Sequence, residues 1–238
     1  PGTTLTAGSY TSQSRVVDAA GNAGTADTQA VVIDTTVTTG TLSFSNLEDT
    51  GVAGDGITSD NTYDLTLTGQ EAGSTVVYQV STDGGVTWTD TTAVQAAVAD
   101  GTYQYQAVVT DAAGNTSTTN MISVTVDTTA PTTLTNITAI STDTGTSSTD
   151  FVTSDQTLVL SGTLSAPLAT GEKVQVSFDN GVTWLDTTAV AGDSAFSYDY
   201  TGTTLTAGSY TFQSRVVDAA GNTGTADTQA VVIDTTVT

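Results

Sequence analysis

The chain has 238 residues, room for two or more domains of ordinary size, and it sets 25 acidic residues against Arg15, Lys173 and Arg215. A formal charge of −22 excludes nucleic acid, whose affinity comes from basic side chains on phosphates; it also excludes anionic membrane surfaces and leaves cations as the electrostatic partner. With no histidine and no cysteine, disulfides, a histidine-dependent nucleophilic triad and a structural zinc site are excluded too, and no apolar run is long enough to span a bilayer.

In chain order the elements read as short strands. "GSYTSQSRVV" (8–17) alternates apolar and polar residues, "VVDAAGN" (16–22) is a turn, and "AVVI" (30–33) is a closing strand before an exit at "DTT". A first acidic loop follows, "EDTGVAGDGITSD" (48–60), then "LTLTG" (65–69) and "VYQVS" (77–81). "STDGGVTW" (81–88) reads as a hairpin around a DG pair. "GTYQYQAVV" (101–109), a second turn "DAAGN" (111–115) and "ISVTV" (122–126) close that unit. The third pass repeats the order with the loop "TDTGTSSTDFVTSD" (142–155), "LVLSG" (158–162), "VQVSF" (174–178), the hairpin "SFDNGVTW" (177–184), "GSYTFQSRVV" (208–217), the turn "DAAGN" (218–222) and "AVVI" (230–233). No segment has helical periodicity, and β-branched residues dominate.

The pattern is a repeat. Residues 1–38 match 201–238 except at Pro1/Thr201, Ser12/Phe212 and Ala23/Thr223. The turn aspartates Asp18, Asp111 and Asp218 stand 93 and 107 residues apart, each followed 16 residues later by Asp34, Asp127 or Asp234. A period near a hundred residues suits a β-sandwich and is too long for a solenoid. The expected fold is all-β, with immunoglobulin-like sandwiches in tandem, end to end. Residues 1–34 are the last two strands of one domain, 35–127 a whole domain and 128–238 another. The chain opens in mid-repeat, as a window on a longer array would. Tyr10, Tyr103 and Tyr210 fall where a tyrosine corner belongs, and Trp88 and Trp184 are expected in the core beside Val86 and Val182. Alternation turns Tyr210, Phe212, Ser214 and Val216 inward. The matching face of 1–34, with Ser12 for Phe212, then has only two strands behind it, so it needs another chain by strand addition, or upstream residues, to cover it.

The acidic residues gather in loops. In such a sandwich the first loop, the hairpin and the exit linker lie at one pole and the DAAGN turn at the other. Stacking two domains therefore brings Asp49, Asp55, Asp60, Asp83 and Asp127, or Asp143, Asp150, Asp155, Asp179 and Asp234, toward the turn of the next. Asp34 and the turn residues Asp18, Asn22, Asp111, Asn115, Asp218 and Asn222 complete the candidate ligand set. Carboxylates brought together without basic partners repel one another, and calcium accepts flexible loops of Asp, Asn and backbone carbonyls. Asp, Asn and Gly also form Asx turns with no metal at all.

At "VVDAAGN", the exits "VIDTT" and "VDTTAP", the loop "DTGTSSTDFVTSD" and "SFDNGVTW", the sequence resembles the bacterial Ig-like repeats of giant Gram-negative adhesins, the biofilm-associated, type I secreted (RTX-adhesin) surface proteins. The resemblance covers essentially the whole chain. It implies an extracellular, cell-surface stalk stiffened by Ca2+ at domain junctions, with neighbouring repeats as partners and the turn, linker and first-loop aspartates as ligands. An enzyme is not expected, since the carboxylate pairs that could serve a glycosidase sit in loops copied in each repeat. The alternatives are a carbohydrate- or protein-binding Ig-like module and an S-layer or other lattice component.

Overall fold

The structure, a computed structural model, describes residues 4–236; Pro1, one of the three positions at which the repeated ends differ, lies outside them. Among the described residues every regular element is a strand and none is a helix, as alternation and β-branched composition require. The chain gathers into two compact units. The first holds the residues up to Leu47 with 62–96 and 103–123, and the second holds 48–61, 97–102 and the chain from Val124 onward.

In the first unit, Thr41–Ser45 pairs antiparallel with Tyr63–Thr68, which pairs with Val94–Gln95. A second layer sets Thr75–Ser81 between Thr89–Thr91 and Gly101–Thr110. The period-two pattern points Leu42, Tyr63, Leu65, Tyr105, Ala107 and Val109 inward, all buried. Two buried phenols satisfy each other, Tyr63 Oη lying 2.9 Å from Tyr105 Oη, with Phe44 edge-on to both rings. The same unit contains the antiparallel hairpin Gly8–Ser14 with Asp27–Ile33, in register from Gly8 opposite Ile33 to Ser14 opposite Asp27.

The second unit packs a three-stranded sheet, Thr135–Ile140, Val159–Leu164 and Ala195–Asp199, over a five-stranded one. The larger sheet runs Val152–Thr153, Asp227–Ile233, Gly208–Val217, Lys173–Ser177, Leu185–Asp186. Its core centres on Phe212, fully buried and edge-on to Phe178 at 4.7 Å, which itself stacks on Tyr200 at 3.9 Å. Val152 and Thr153 pair in parallel with Val232 and Ile233, and Ile57 and Thr58 pair likewise with Thr125 and Val126. This short parallel step lays each first loop beside an exit linker: the Asp127 amide donates to Thr58 O (2.9 Å) and the Asp234 amide to Thr153 O (2.8 Å).

The tryptophans differ from expectation. Trp88 and Trp184 are half-buried, outside the core, with Val86 and Val182 nearly fully exposed. Each indole N–H instead ties down its own hairpin, donating to Gly85 O or Gly181 O at 3.1 Å, and the Arg215 guanidinium lies 3.8 Å over the Trp184 ring. The hairpin loops bulge outward through positive-φ residues (Gly84 and Gly85; Asn180 and Gly181), so a ring three or four residues on folds back over the loop rather than into the sandwich.

The duplicated ends share their pairing but not their environment. Val216 and Val231 are 0% and 1% exposed, whereas Val16 and Val31, in the same sequence context, are 81% and 40% exposed. Residues 4–33 make the hairpin, and their apolar face stays open.

Candidate metal centre

Each DAAGN turn closes on its own aspartate. Oδ1 of Asp18, Asp111 and Asp218 accepts the amide of Asn22, Asn115 and Asn222 at 2.8 Å, and Oδ2 accepts the Asn side-chain N–H at 2.7, 2.7 and 3.0 Å. The backbone closes in parallel, the Asp N–H donating to Asn O at 3.0 to 3.1 Å. Gly21, Gly114 and Gly221 take φ of +91°, +91° and +87°, a region a side chain resists. The Asn side chain on Asp18 and on Asp111 holds both carboxyls below the usual carboxylate range, so both stay charged at neutral pH.

The asparagines thus act as turn holders, and two of them reach further. Asn115 Nδ2 also donates to Asp34 O (3.2 Å) and Asn222 Nδ2 to Asp127 O (2.8 Å), so turn and exit linker are clipped together twice in the chain. The clip brings carboxylates together. Ligand oxygens of Asp34, Glu71 and Asp111 lie within 4.8 Å of one another, the first two half-buried and Asp111 buried. Among the described residues this is the one group of three acidic side chains so close, and the one salt bridge, Lys173 to Asp186 at 2.7 Å, is not part of it. Thr36 and Thr38 amides donate to Asp34 Oδ1 (3.1 Å) and Glu71 Oε2 (3.3 Å), while Asp34 Oδ2 and Glu71 Oε1 receive no donor from the described residues.

Glu71 was not among the residues singled out from sequence. Its signal was available: "GQEAG" is the loop between the second and third strands, which strand alternation places at the same pole as the DAAGN turn. The counterpart trio, Asp127, Glu172 and Asp218, lines a single cleft with Thr129, Pro131 and Ala169. There Glu172 Oε2 is taken by the Ala169 amide at 2.8 Å and Asp127 Oδ1 by the Thr129 amide at 3.0 Å.

The remaining candidates serve their own loops. Asp49 Oδ2 accepts the Gly54 amide (2.5 Å), Asp55 Oδ1 that of Ile57 (2.8 Å) and Asp60 Oδ2 that of Glu48 (2.9 Å). Asp143 Oδ2 accepts Phe151 N–H (3.0 Å), Asp150 Oδ1 Val152 N–H (3.1 Å), Asp155 Oδ1 Thr157 N–H (2.9 Å) and Asp234 Oδ1 Thr236 N–H (3.0 Å). Asp143 Oδ1 is buried without a partner. In the hairpins, Asp83 and Asp179 hold their own turns. The hydroxyl of Thr87 or Thr183, the same residue's amide and a serine hydroxyl all donate to the carboxylate and push its pKa down to about 2.

A family model described as a bacterial Ig-like domain matches residues 36–128 and again 130–235, and a second model of the same description matches 3–35. A search of curated proteins finds no match. Among solved structures, a tetra-tandem repeat in the extending region of a large adhesion protein is 23% identical over 97% of this chain, with a TM-score of 0.31. A Ca2+-stabilized adhesin of an Antarctic bacterium is 23% identical over 94% of this chain and 56% of its own, TM-score 0.32. Fibronectin(III)-like modules of Clostridium thermocellum CbhA are 11% identical over 81% of this chain and 93% of theirs, TM-score 0.47. The chain spans 58% of the length of the tetra-tandem repeat it matches.

Proposed function

The chain belongs to the bacterial Ig-like domain family, and from that premise we propose that it is an extending, non-catalytic segment of a cell-surface adhesin, stiffened by Ca2+ where one repeat meets the next. In this reading residues 1–34 are the closing hairpin of one repeat, 35–127 and 128–238 are whole repeats, the segment stands outside the cell, and its work is to carry an adhesive end away from the surface during attachment and biofilm growth. The partners of each repeat are its neighbours, and the open apolar face of 4–33 takes the strands of a further Ig-like unit, as the same sequence does at 205–233.

The observation that carries the calcium part is the trio Asp34, Glu71 and Asp111. Exit linker, loop and turn each contribute one carboxylate within 4.8 Å, and the repulsion among three such groups has no basic side chain to relieve it. The donor set is all oxygen, with two carboxylate oxygens free of donors, which fits a hard cation that tolerates irregular geometry and does not fit zinc. Asp34, Glu71 and Asp111 would hold the ion, and its charge would neutralise them. The protein's own part is to fix the three groups: Asn115 sets the Asp111 rotamer and ties it to Asp34 O, the Glu71 amide donates to Thr38 O, and the Thr38 amide donates to the Glu71 carboxylate.

The test is small-angle scattering and melting of the full chain with calcium and with excess chelator. A ligand bound only by the native state raises the melting temperature, and loss of charge neutralisation frees the linker, so chelation should shorten the maximum dimension and lower Tm. The doubly neutralised Asp34→Asn, Glu71→Gln chain should lose the calcium response. A maximum dimension and Tm indifferent to calcium in the unaltered chain would sink the proposal.

A further inference from the structure

The two first loops are built alike, but one is met by a turn and the other is open. In loop 48–60, Thr50 Oγ1 accepts the Ser59 amide (2.7 Å) and donates to Ala220 O (2.5 Å), while the Val52 amide donates to Ala219 O (3.0 Å). The approach is backbone on backbone. A Cβ on Gly51 (φ +74°) would run into the Ala219 carbonyl, and one on Gly221 would stand 2.9 Å from the Gly51 nitrogen. Two glycines in the left-handed region, one from each side, are what allow it.

Loop 142–155 repeats the internal threonine frame of this loop. Thr144 Oγ1 accepts the Ser154 amide (2.7 Å), as Thr50 accepts that of Ser59. Thr153 Oγ1 donates to Thr142 O (2.7 Å), as Thr58 does to Glu48 O (2.6 Å). The parallel step that follows has the same register. Yet Gly145, at φ +106°, has open space where its Cβ would be, and the Thr146 amide, in the place of Val52, is exposed and finds no acceptor among the described residues. The complementary half also stands open elsewhere in the chain. In the turn Asp111–Asn115, which has the same five residues as 218–222, Gly114 has open space at its Cβ and Ala112 and Ala113 are exposed, whereas Ala220 is fully buried.

We infer that loop 142–155 is a second docking face for a DAAGN turn, and that its partner is the Asp111–Asn115 turn of a following copy of this sequence. The contact uses two alanine carbonyls, a threonine hydroxyl, one amide and a pair of facing glycines, so it needs no cation and no charged group. It rests on the tandem-repeat reading of the chain and not on the calcium part of it. An uncharged contact of this kind sets where the repeats touch, while the carboxylates set how the linker responds to ions.

The test uses the full chain extended past Thr238 by residues 39–238 of a second copy, which stays in register because 201–238 repeats 1–38 at all but three positions. Segmental isotope labelling of the first copy isolates the Thr146 amide, and hydrogen exchange is compared with the 238-residue chain. Exchange at Thr146 should slow about tenfold or more on extension, while the Val52 amide is protected in both chains, and excess chelator should leave both unchanged. Equal exchange at Thr146 in the two chains overturns the inference, as does an unprotected Val52. A Thr146 amide protected in an extended chain whose length ignores calcium would sink the stiffening proposal and leave the docking face standing.

Discussion

The sharpest consequence of the duplicated ends is that one substitution pair should have opposite outcomes at two positions with the same neighbours in sequence. Phe212 is fully buried, edge-on to Phe178 at 4.7 Å and beside Tyr210 at 6.2 Å. Phe212→Ser writes the residue of the first copy into the second. Truncating a buried Phe costs about 3–5 kcal/mol through lost transfer energy and the cavity left behind, and a serine hydroxyl stranded among Phe178, Val176 and Val231 costs roughly 1–3 kcal/mol more. Against a domain stability of about 5–15 kcal/mol that is most of the reserve. Even the lower figure of about 3 kcal/mol, at about 4 °C per kcal/mol for a domain near a hundred residues, lowers Tm by about 12 °C. The reverse change, Ser12→Phe, falls on an exposed residue and should stay within about 0.5 kcal/mol of the parent. Thermal melts in a Trp88→Phe background leave Trp184, stacked under Arg215 in the same sheet as Phe212, as the fluorescent reporter. Comparable shifts for the two substitutions, or a Phe212→Ser midpoint within a degree or two of the parent, would refute the burial argument.

Acid should act through the hairpins. The Asp83 and Asp179 carboxyls stand at about 2 against an ordinary 3.8. A depressed folded value means that their contribution is whole above the unfolded pKa and is lost as pH falls from about 4 toward 2. Tm followed across that window should drop, and the double Asp83→Asn, Asp179→Asn chain should show a flatter profile; an unchanged slope would mean the serine and threonine donors do not hold these turns. Asp127→Ala keeps the carbonyl that Asn222 clips but removes a carboxylate from the cleft it shares with Glu172 and Asp218. Calorimetry should then show weaker calcium binding with an unchanged far-UV spectrum, and equal affinity and stoichiometry would make Asp127 a turn former alone.

Fold class was written in the sequence because strands announce themselves locally. Alternation in "GTYQYQAVV" and "GSYTFQSRVV" names the inward face, DG and NG pairs name the hairpins, and three DAAGN turns set the period. The chemistry of the candidate site was legible to the same depth: acidic loops, no basic partners, and two of the three clustered carboxylates, Asp34 and Asp111. Glu71 escaped because a single glutamate in a loop carries no motif; only strand alternation applied to every loop would have brought it to the turn's pole. The roles of Asp83 and Asp179 were likewise invisible, because a threonine four residues on can take a carboxylate for its own turn or leave it free, and that choice depends on how the hairpin bends.

How far each inward face is sealed was decided by tertiary structure. Residues 5–33 and 205–233 differ at two positions, yet Val16 faces outward and Val216 is sealed. Strand pairing is a main-chain property, so both copies form the same hairpin in the same register. Removing an apolar face from water needs a second layer, and residues 128–200 supply it to one copy. The same holds for the glycines. Gly51 and Gly145 are both left-handed by local sequence, and it is the arrival of Ala219 and Gly221 from 170 residues away that turns the first into a close contact and leaves the second facing water.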